Sequence, residues 1–176
     1  ARHTAGSVDA FVAQMNARAA ELGLTATHFE NPHGFDADGH VSSPSDLLIL
    51  TQANRAYPRF LEIVATAQTT VGGHSLRNTN QFLGLYPGAN GVKTGTTPAA
   101  GQCLIASIER DGHTAITLVM GSGDRYEDAR NLYDHYQNNY TWLAGDPRAL
   151  SILNRLHDDN GQRWYLAATA DPPAAL

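Results

Sequence analysis

At 176 residues, with 42% apolar and 16% charged side chains and a net charge of -5, the chain has enough apolar content for a packed core. It does not have the low hydrophobicity and high charge of a disordered segment, nor the basic run that a nucleic-acid partner would require. No apolar stretch approaches the ~20 residues needed to span a bilayer, no charged-then-apolar leader opens the chain, and the single Cys103 cannot form an internal disulfide.

The first residues, Ala1-Arg2-His3, in place of a methionine, lead us to expect a processed or truncated start. Residues 7–22 read as a helix. Ser7 is a good N-cap, Asp9 suits the positive end of the helix, and Gly23 fits the position just past its end. Val8, Phe11, Val12, Met15, Ala19 and Leu22 form one apolar stripe at helical spacing. Residues 25–40, rich in Asn, Pro, Gly and Asp, read as an ordered loop. A second helix starts at Ser43-Pro44-Ser45-Asp46, with Ser43 as cap, Pro44 at the first helical position and Asp46 placed to reach back to the cap.

Residues 62–83 are less regular, with β-like composition at Thr69–Val71 and a turn at Gly72-Gly73. Residues 101–109 and 113–121 are β-branched apolar runs joined through Asp111-Gly112, the strongest short hairpin signal. Residues 123–140 read as a helix with Leu132, Tyr133, Tyr136 and Tyr140 on one stripe, and Trp142 is expected to join those aromatics. Asp124, Arg125, Glu127, Asp128 and Arg130 read as its exposed, charge-paired face. Beyond Trp142, Asp146-Pro147 is expected to open a short helix ending near Asn160-Gly161, and residues 163–169 to form one more strand. Strand, hairpin and helix in this order imply an antiparallel sheet covered by helices.

The sharpest chemical signal is Gly91-Val92-Lys93-Thr94-Gly95-Thr96-Thr97. A Lys-Thr-Gly on a strand is one of three elements of the serine acyl-transferases that bind penicillin; the others are Ser-x-x-Lys and a Ser-x-Asn triad. A strand edge presents Thr94 to a peptide lying alongside. Lys93 supplies positive charge for a nearby alkoxide or a substrate carboxylate. Gly95 leaves room for the acyl group, and the Thr96 amide can donate to the developing oxyanion.

Further segments share one pattern: Phe11-Val12-Ala13-Gln14-Met15-Asn16, Thr27-His28-Phe29-Glu30-Asn31-Pro32-His33-Gly34-Phe35-Asp36, and His40-Val41-Ser42-Ser43-Pro44-Ser45-Asp46-Leu47. Arg77-Asn78-Thr79-Asn80 precedes the Lys-Thr-Gly, and Ala99-Ala100-Gly101 follows it. In this order and spacing, from about residue 4 to residue 142, the chain resembles the serine D-alanyl-D-alanine carboxypeptidases, which are low-molecular-mass penicillin-binding proteins. The resemblance implies an α+β fold of the β-lactamase/DD-transpeptidase kind. It implies a bacterial cell-envelope enzyme, extracytoplasmic, that trims the terminal D-alanine from peptidoglycan stem peptides ending in D-Ala-D-Ala. β-Lactam antibiotics would be its inhibitors, and no cofactor is called for. On this resemblance Lys93, Thr94, Gly95 and Thr96 carry the catalytic motif and the oxyanion amide. Lys93 and Thr94 contact the substrate carboxylate or the activated serine, and Arg77 sits where some members use an arginine near that carboxylate.

One part of the pattern is missing. A serine hydroxyl needs a neighbouring base to take its proton, yet Lys93 is the only lysine among the 12 basic residues, and neither Ser-x-x-Lys nor Ser-x-Asn occurs. Tyr136-Gln137-Asn138 has a related pattern but falls in the amphipathic helix. In the family both missing motifs precede the stretch corresponding to Ala5-Gly6-Ser7-Val8-Asp9-Ala10-Phe11. The expectation is therefore an incomplete domain: residues 1–142 form its carboxyl-terminal part, and residues 143–176 form an extension of unassigned role. The nucleophile would lie upstream or on a separate chain, so this chain alone would be inactive. It would also expose an unpaired edge on the 101–121 hairpin and tend to aggregate. Two other readings are a non-catalytic peptidoglycan-peptide binding module and a β-lactamase, though no acidic loop with the deacylating signature is present. His33, Asp36, Asp38 and His40 could suggest a metal site, but a calcium loop would need a Glu at a distance where none sits; a hydrogen-bonded loop is expected.

Overall fold

A computed structural model of the chain describes residues 1–140 together with 154–157 and 163–167. Helix α1 (Arg2–Ala5) is followed by α2 (Val8–Glu21), α3 (Pro44–Arg55) and α4 (Pro58–Ala65). A small hairpin of β1 (Gln68–Val71) and β2 (His74–Arg77) leads to α5 (Phe82–Leu85). The main sheet then forms from β3 (Ala89–Thr97), β4 (Gly101–Arg110) and β5 (His113–Ser122). It is followed by α6 (Arg125–Asn139), β6 (Asn154–His157) and β7 (Arg163–Ala167). The sheet order is β3-β4-β5-β7-β6, antiparallel throughout, so β3 is an edge strand.

The helix signals act as expected at their starts. The Ser7 hydroxyl accepts from the Ala10 amide at 3.0 Å, and the Ser43 hydroxyl from the Asp46 amide at 3.2 Å. Asp46 does not reach back to that cap. It is only 5% exposed, and its carboxylate accepts from the Ala26 amide (2.8 Å) and the Thr27 hydroxyl (2.7 Å), tying α3 to the long loop. Hydrogen bonds to a buried carboxylate are strong because the charge polarises them and water cannot replace them. Asp46→Ala is therefore expected to lower stability by about 2–3 kcal/mol, measurable by urea unfolding. A loss below about 0.5 kcal/mol, typical of a surface substitution, would show that the two donors find other acceptors.

The stripe on α2 is less buried than its spacing suggests. Only Ala19 is fully buried, and of the stripe Met15 lines the cleft beside the sheet. Residues 62–65, the start of the span read from sequence as less regular, complete helix α4, which begins at Pro58 and has no side-chain cap.

In β3–β5 the pleat sorts side chains to two faces. Leu104, Ala106, Ile108 and Val119 pack under Phe82 of α5 and Ala129, Leu132, Tyr133 and Tyr136 of α6. Tyr133 and Tyr86 meet edge to face at 5.4 Å, and the Tyr86 hydroxyl donates to Asp134. Burial first, then that hydrogen bond, pushes the Tyr86 hydroxyl's pKa far up, so it stays neutral. Tyr140 stacks on Tyr136 at 6.1 Å; Trp142 lies outside the described residues. The Asp111-Gly112 turn has φ of 53° and 77°, the left-handed pair that a two-residue hairpin requires. At Gly88 only glycine fits: a Cβ there would lie 2.4 Å from the Glu109 carbonyl oxygen.

The carboxyl-terminal readings divide. Residues 163–167 are a strand as expected, whereas 154–157 form a strand within the span expected to be helical; the rest of that span lies outside the described residues. The β6–β7 hairpin pairs with β5 at Ile116↔Ala167 and Thr117↔Leu166. The outer edge of the 101–121 hairpin is thus partly covered, against the expectation of an unpaired edge. The covering comes from distant residues, which no local pattern in β5 reports.

Candidate active site

The edge strand β3 and the loop at 31–36 face each other across a cleft of about 560 Å³. Pairing with β4 sets Lys93 opposite Ile105 and Gly95 opposite Cys103. On this face of the sheet, Ile105, Cys103, Leu118 and Met120 make an apolar floor, with Met15 of α2 and Leu47 of α3 beside it. Lys93, Thr94, Gly95, Thr96 and Thr97 all line the cleft. Because β3 is an edge strand, alternate backbone groups point away from β4 and are open to a ligand.

The facing wall is built by short side-chain bonds. The Asn16 amide clamps Phe29 twice: its nitrogen donates to the Phe29 carbonyl, and its oxygen accepts from the Phe29 amide, each at 2.8 Å. Asn31 folds the loop on itself, donating to the Phe35 carbonyl at 2.9 Å and accepting from Gly34 at 2.8 Å. The His33 and Phe35 rings lie 4.8 Å apart, and Phe35 is 67% exposed. Asp36 ends the loop by accepting from the Thr97 hydroxyl and the Ala99 amide. Of the four side chains readable as metal ligands, three hold hydrogen bonds: His40 Nδ1 accepts from the Glu30 amide, His33 Nδ1 from the Phe35 amide at 3.3 Å, and Asp36 from Thr97 and Ala99. Among the described residues no group of three or more His, Cys, Asp or Glu is placed to hold a metal ion.

Lys93 is exposed, and its ammonium donates to the adjacent Thr94 carbonyl. Among the described residues no carboxylate pairs with it. Thr94 approaches Thr79 at 3.4 Å between hydroxyl oxygens. Arg77 stands apart: it ends the exposed hairpin, opposite Gln68, and does not line the cleft.

A guanidinium that reaches the edge strand without lining the cleft is that of Arg125, which reading α6 as an exposed charged face does not find. Its Nη1 donates to the carbonyls of Gly95 (2.6 Å) and Cys103 (3.1 Å), its Nη2 to the Thr96 hydroxyl, and its Nε to Gln102 Oε1 (3.0 Å). Asp124 caps α6 by accepting from the amides of Tyr126 and Glu127, and Asp128 accepts from Ser122. Of the expected charge pairs, Arg130 with Glu127 at 3.6 Å is present. Sequence could have flagged Arg125 only through its place just after the Asp124 cap, where a side chain can turn back over the sheet.

An antiparallel sheet with a Lys-Thr-Gly edge strand beside a cleft carries one of the three elements of the penicillin-binding serine acyl-transferases. The sequence matches the family described as D-alanyl-D-alanine carboxypeptidase over residues 1–124. The chain belongs to that family of bacterial cell-wall enzymes. It is 37% identical to the D-alanyl-D-alanine carboxypeptidase DacF of Bacillus subtilis, covering 100% of this chain and 47% of that protein. Against DacD of Escherichia coli the figures are 38% identity, 94% and 42%. Among solved structures it resembles a Streptomyces DD-transpeptidase (TM-score 0.71, 32% identity, 74% of this chain and 55% of that one). It also resembles the Mycobacterium tuberculosis D-alanyl-D-alanine carboxypeptidase (TM-score 0.71, 32% identity, 79% and 57%). A penicillin-binding protein of Listeria monocytogenes in its cefotaxime-bound form matches at TM-score 0.65 and 35% identity, covering 70% and 53%. The chain thus spans about half the length of the curated relatives it matches. Among the described residues, no helix is long and apolar enough to cross a membrane.

Proposed function

We propose that this chain supplies one wall of the active site of a serine D-alanyl-D-alanine carboxypeptidase. The complete protein would act on the outer side of the cell membrane on peptidoglycan stem peptides. The observation that carries this reading is the Lys93–Thr96 edge strand bordering the cleft opposite the 31–36 loop. A peptide laid along β3 finds free backbone groups for pairing. The Lys93 ammonium and the Thr94 hydroxyl receive its terminal carboxylate or stabilise the activated serine. The Thr96 amide donates to the oxyanion of the tetrahedral intermediate, a contact that strengthens as charge develops. Arg125 holds the Gly95–Thr96 segment in place. Arg77, on the outer hairpin, stays a proposed contact for the substrate carboxylate, as the family resemblance implies.

The serine and its lysine base come from residues of the complete protein other than these 176. That serine attacks the D-Ala-D-Ala carbonyl, the terminal D-alanine leaves with the serine's proton delivered to its nitrogen, and water then hydrolyses the acyl-enzyme. β-Lactams enter the same route and stay as the acyl adduct. We assign residues 1–142 to this catalytic domain and leave 143–176 as an extension.

The reading is tested by incubating the folded, complete polypeptide with a fluorescent penicillin. Covalent labelling, blocked by prior treatment with unlabelled penicillin, is expected, and residues 1–176 alone should stay unlabelled. A folded complete protein that takes up no label would overturn it.

A further inference from the structure

Two walls of the cleft are joined at one carboxylate. Asp36 closes the 31–36 loop, and its Oδ1 accepts from the hydroxyl of Thr97, 61 residues further on, at 2.5 Å. Its Oδ2 accepts from the Ala99 amide at 3.1 Å, and Thr97 Oγ1 in turn accepts from the Ala100 amide at 3.0 Å. Thr97 is the last residue of β3 and Gly101 the first of β4, so the carboxylate organises the whole β3–β4 turn.

All these groups lie at the surface, where hydrogen bonds exchange with water and add little to folding. What they supply is geometry. Asn16 holds the loop at Phe29, and Asp36 holds its far end against β3. Arg125 grips the same strand end from α6, two and one residues earlier, at Gly95 and Thr96. Thr96 is therefore pinned from two sides, by Arg125 and, through Thr97, by Asp36.

We propose that Asp36 is a positioning residue for acyl transfer: it fixes the separation of the 31–36 loop from β3 and holds the Thr96 amide where the oxyanion forms. This inference rests on the acyl-transfer reading of the cleft. Small displacements of aligned groups lower rates steeply, by up to about 10²-fold for 1 Å. Removing the strap should therefore act on the acylation step.

The test is the rate of labelling of the complete protein by fluorescent penicillin, followed against penicillin concentration. Asp36→Ala and Thr97→Val are each expected to lower the limiting acylation rate by roughly 10–100-fold. The concentration giving half-maximal rate and the melting temperature should change little. Thr97→Ser, which keeps the hydroxyl, should restore the wild-type rate, and Asp36→Asn, which keeps one accepting oxygen, should fall between. Because the two side chains act through one contact, the double variant should be no slower than the slower single one. If Asp36→Ala does not fold, the Thr97→Val and Thr97→Ser pair decides alone. Wild-type rates in both single variants, multiplicative losses in the double one, or a loss confined to the half-maximal concentration would each overturn the proposal while leaving the carboxypeptidase reading intact. An unlabelled wild type would overturn both.

Discussion

Replacing Lys93 by alanine in the complete protein should lower its acylation by penicillin by about 10²–10³-fold, the scale of losing one preorganised group that stabilises charge in the transition state. The fold should hardly notice. Lys93 is exposed, and among the described residues its ammonium donates to the neighbouring Thr94 carbonyl. A surface substitution of this kind changes stability by about 0.5 kcal/mol or less. Lys93→Arg keeps the charge, but its larger planar head cannot occupy the same point above Thr94, so recovery should be partial. Stopped-flow labelling beside a melting curve separates the two effects. Labelling of the alanine variant within about threefold of wild type would remove Lys93 from the proposed transition state.

The second large effect concerns the core. Phe82 is 1% exposed, stacks on Tyr86 at 5.3 Å and on Tyr126 at 6.3 Å, and closes the cluster over Leu104, Ala106 and Ile108. Its helix has four residues, too short to hold itself together without packing. Phe82→Ala is expected to cost about 3–5 kcal/mol, the removed apolar surface plus the cavity left behind. That is a large share of the about 5–15 kcal/mol that keeps a typical domain folded. Phe82→Leu should cost less, since it refills much of the volume. The loss should reach the active site as well. Phe82 anchors the turn at Asn80, whose side-chain oxygen accepts from the Phe82 amide at 3.2 Å, and the adjoining Thr79 meets Thr94. Denaturant unfolding gives the number; a cost under about 1 kcal/mol would mean the ring is not part of the cooperative core.

These two residues mark the reach of sequence reasoning. Lys93 is legible because its motif is local: three consecutive residues on one strand carry the charge, the hydroxyl and the open backbone. Phe82 is not, since nothing near it in sequence repeats, and its burial is made by β4 and α6, which come later in the chain. Asp46 shows the middle case. Its position in the first turn of α3 is readable, but its hydrogen-bond partners, Ala26 and Thr27, are chosen by how the loop returns.

The sequence by itself determined the family, the helix starts at Ser7 and Ser43, the Asp111-Gly112 hairpin, and the Lys93-Thr94-Gly95 motif on its strand, with no Ser-x-x-Lys among the 176 residues. Each depends on residues close together in the chain, where spacing alone constrains geometry. Only the tertiary structure decided that Arg125 grips Gly95 and Thr96, that Asp36 reaches Thr97 across the cleft, that Arg77 stands outside it, and that β7 pairs with β5. These are contacts between segments tens of residues apart. A side chain's local pattern reports its secondary structure and exposure, whereas its partner is set by which distant backbone the folded sheet brings within hydrogen-bond range.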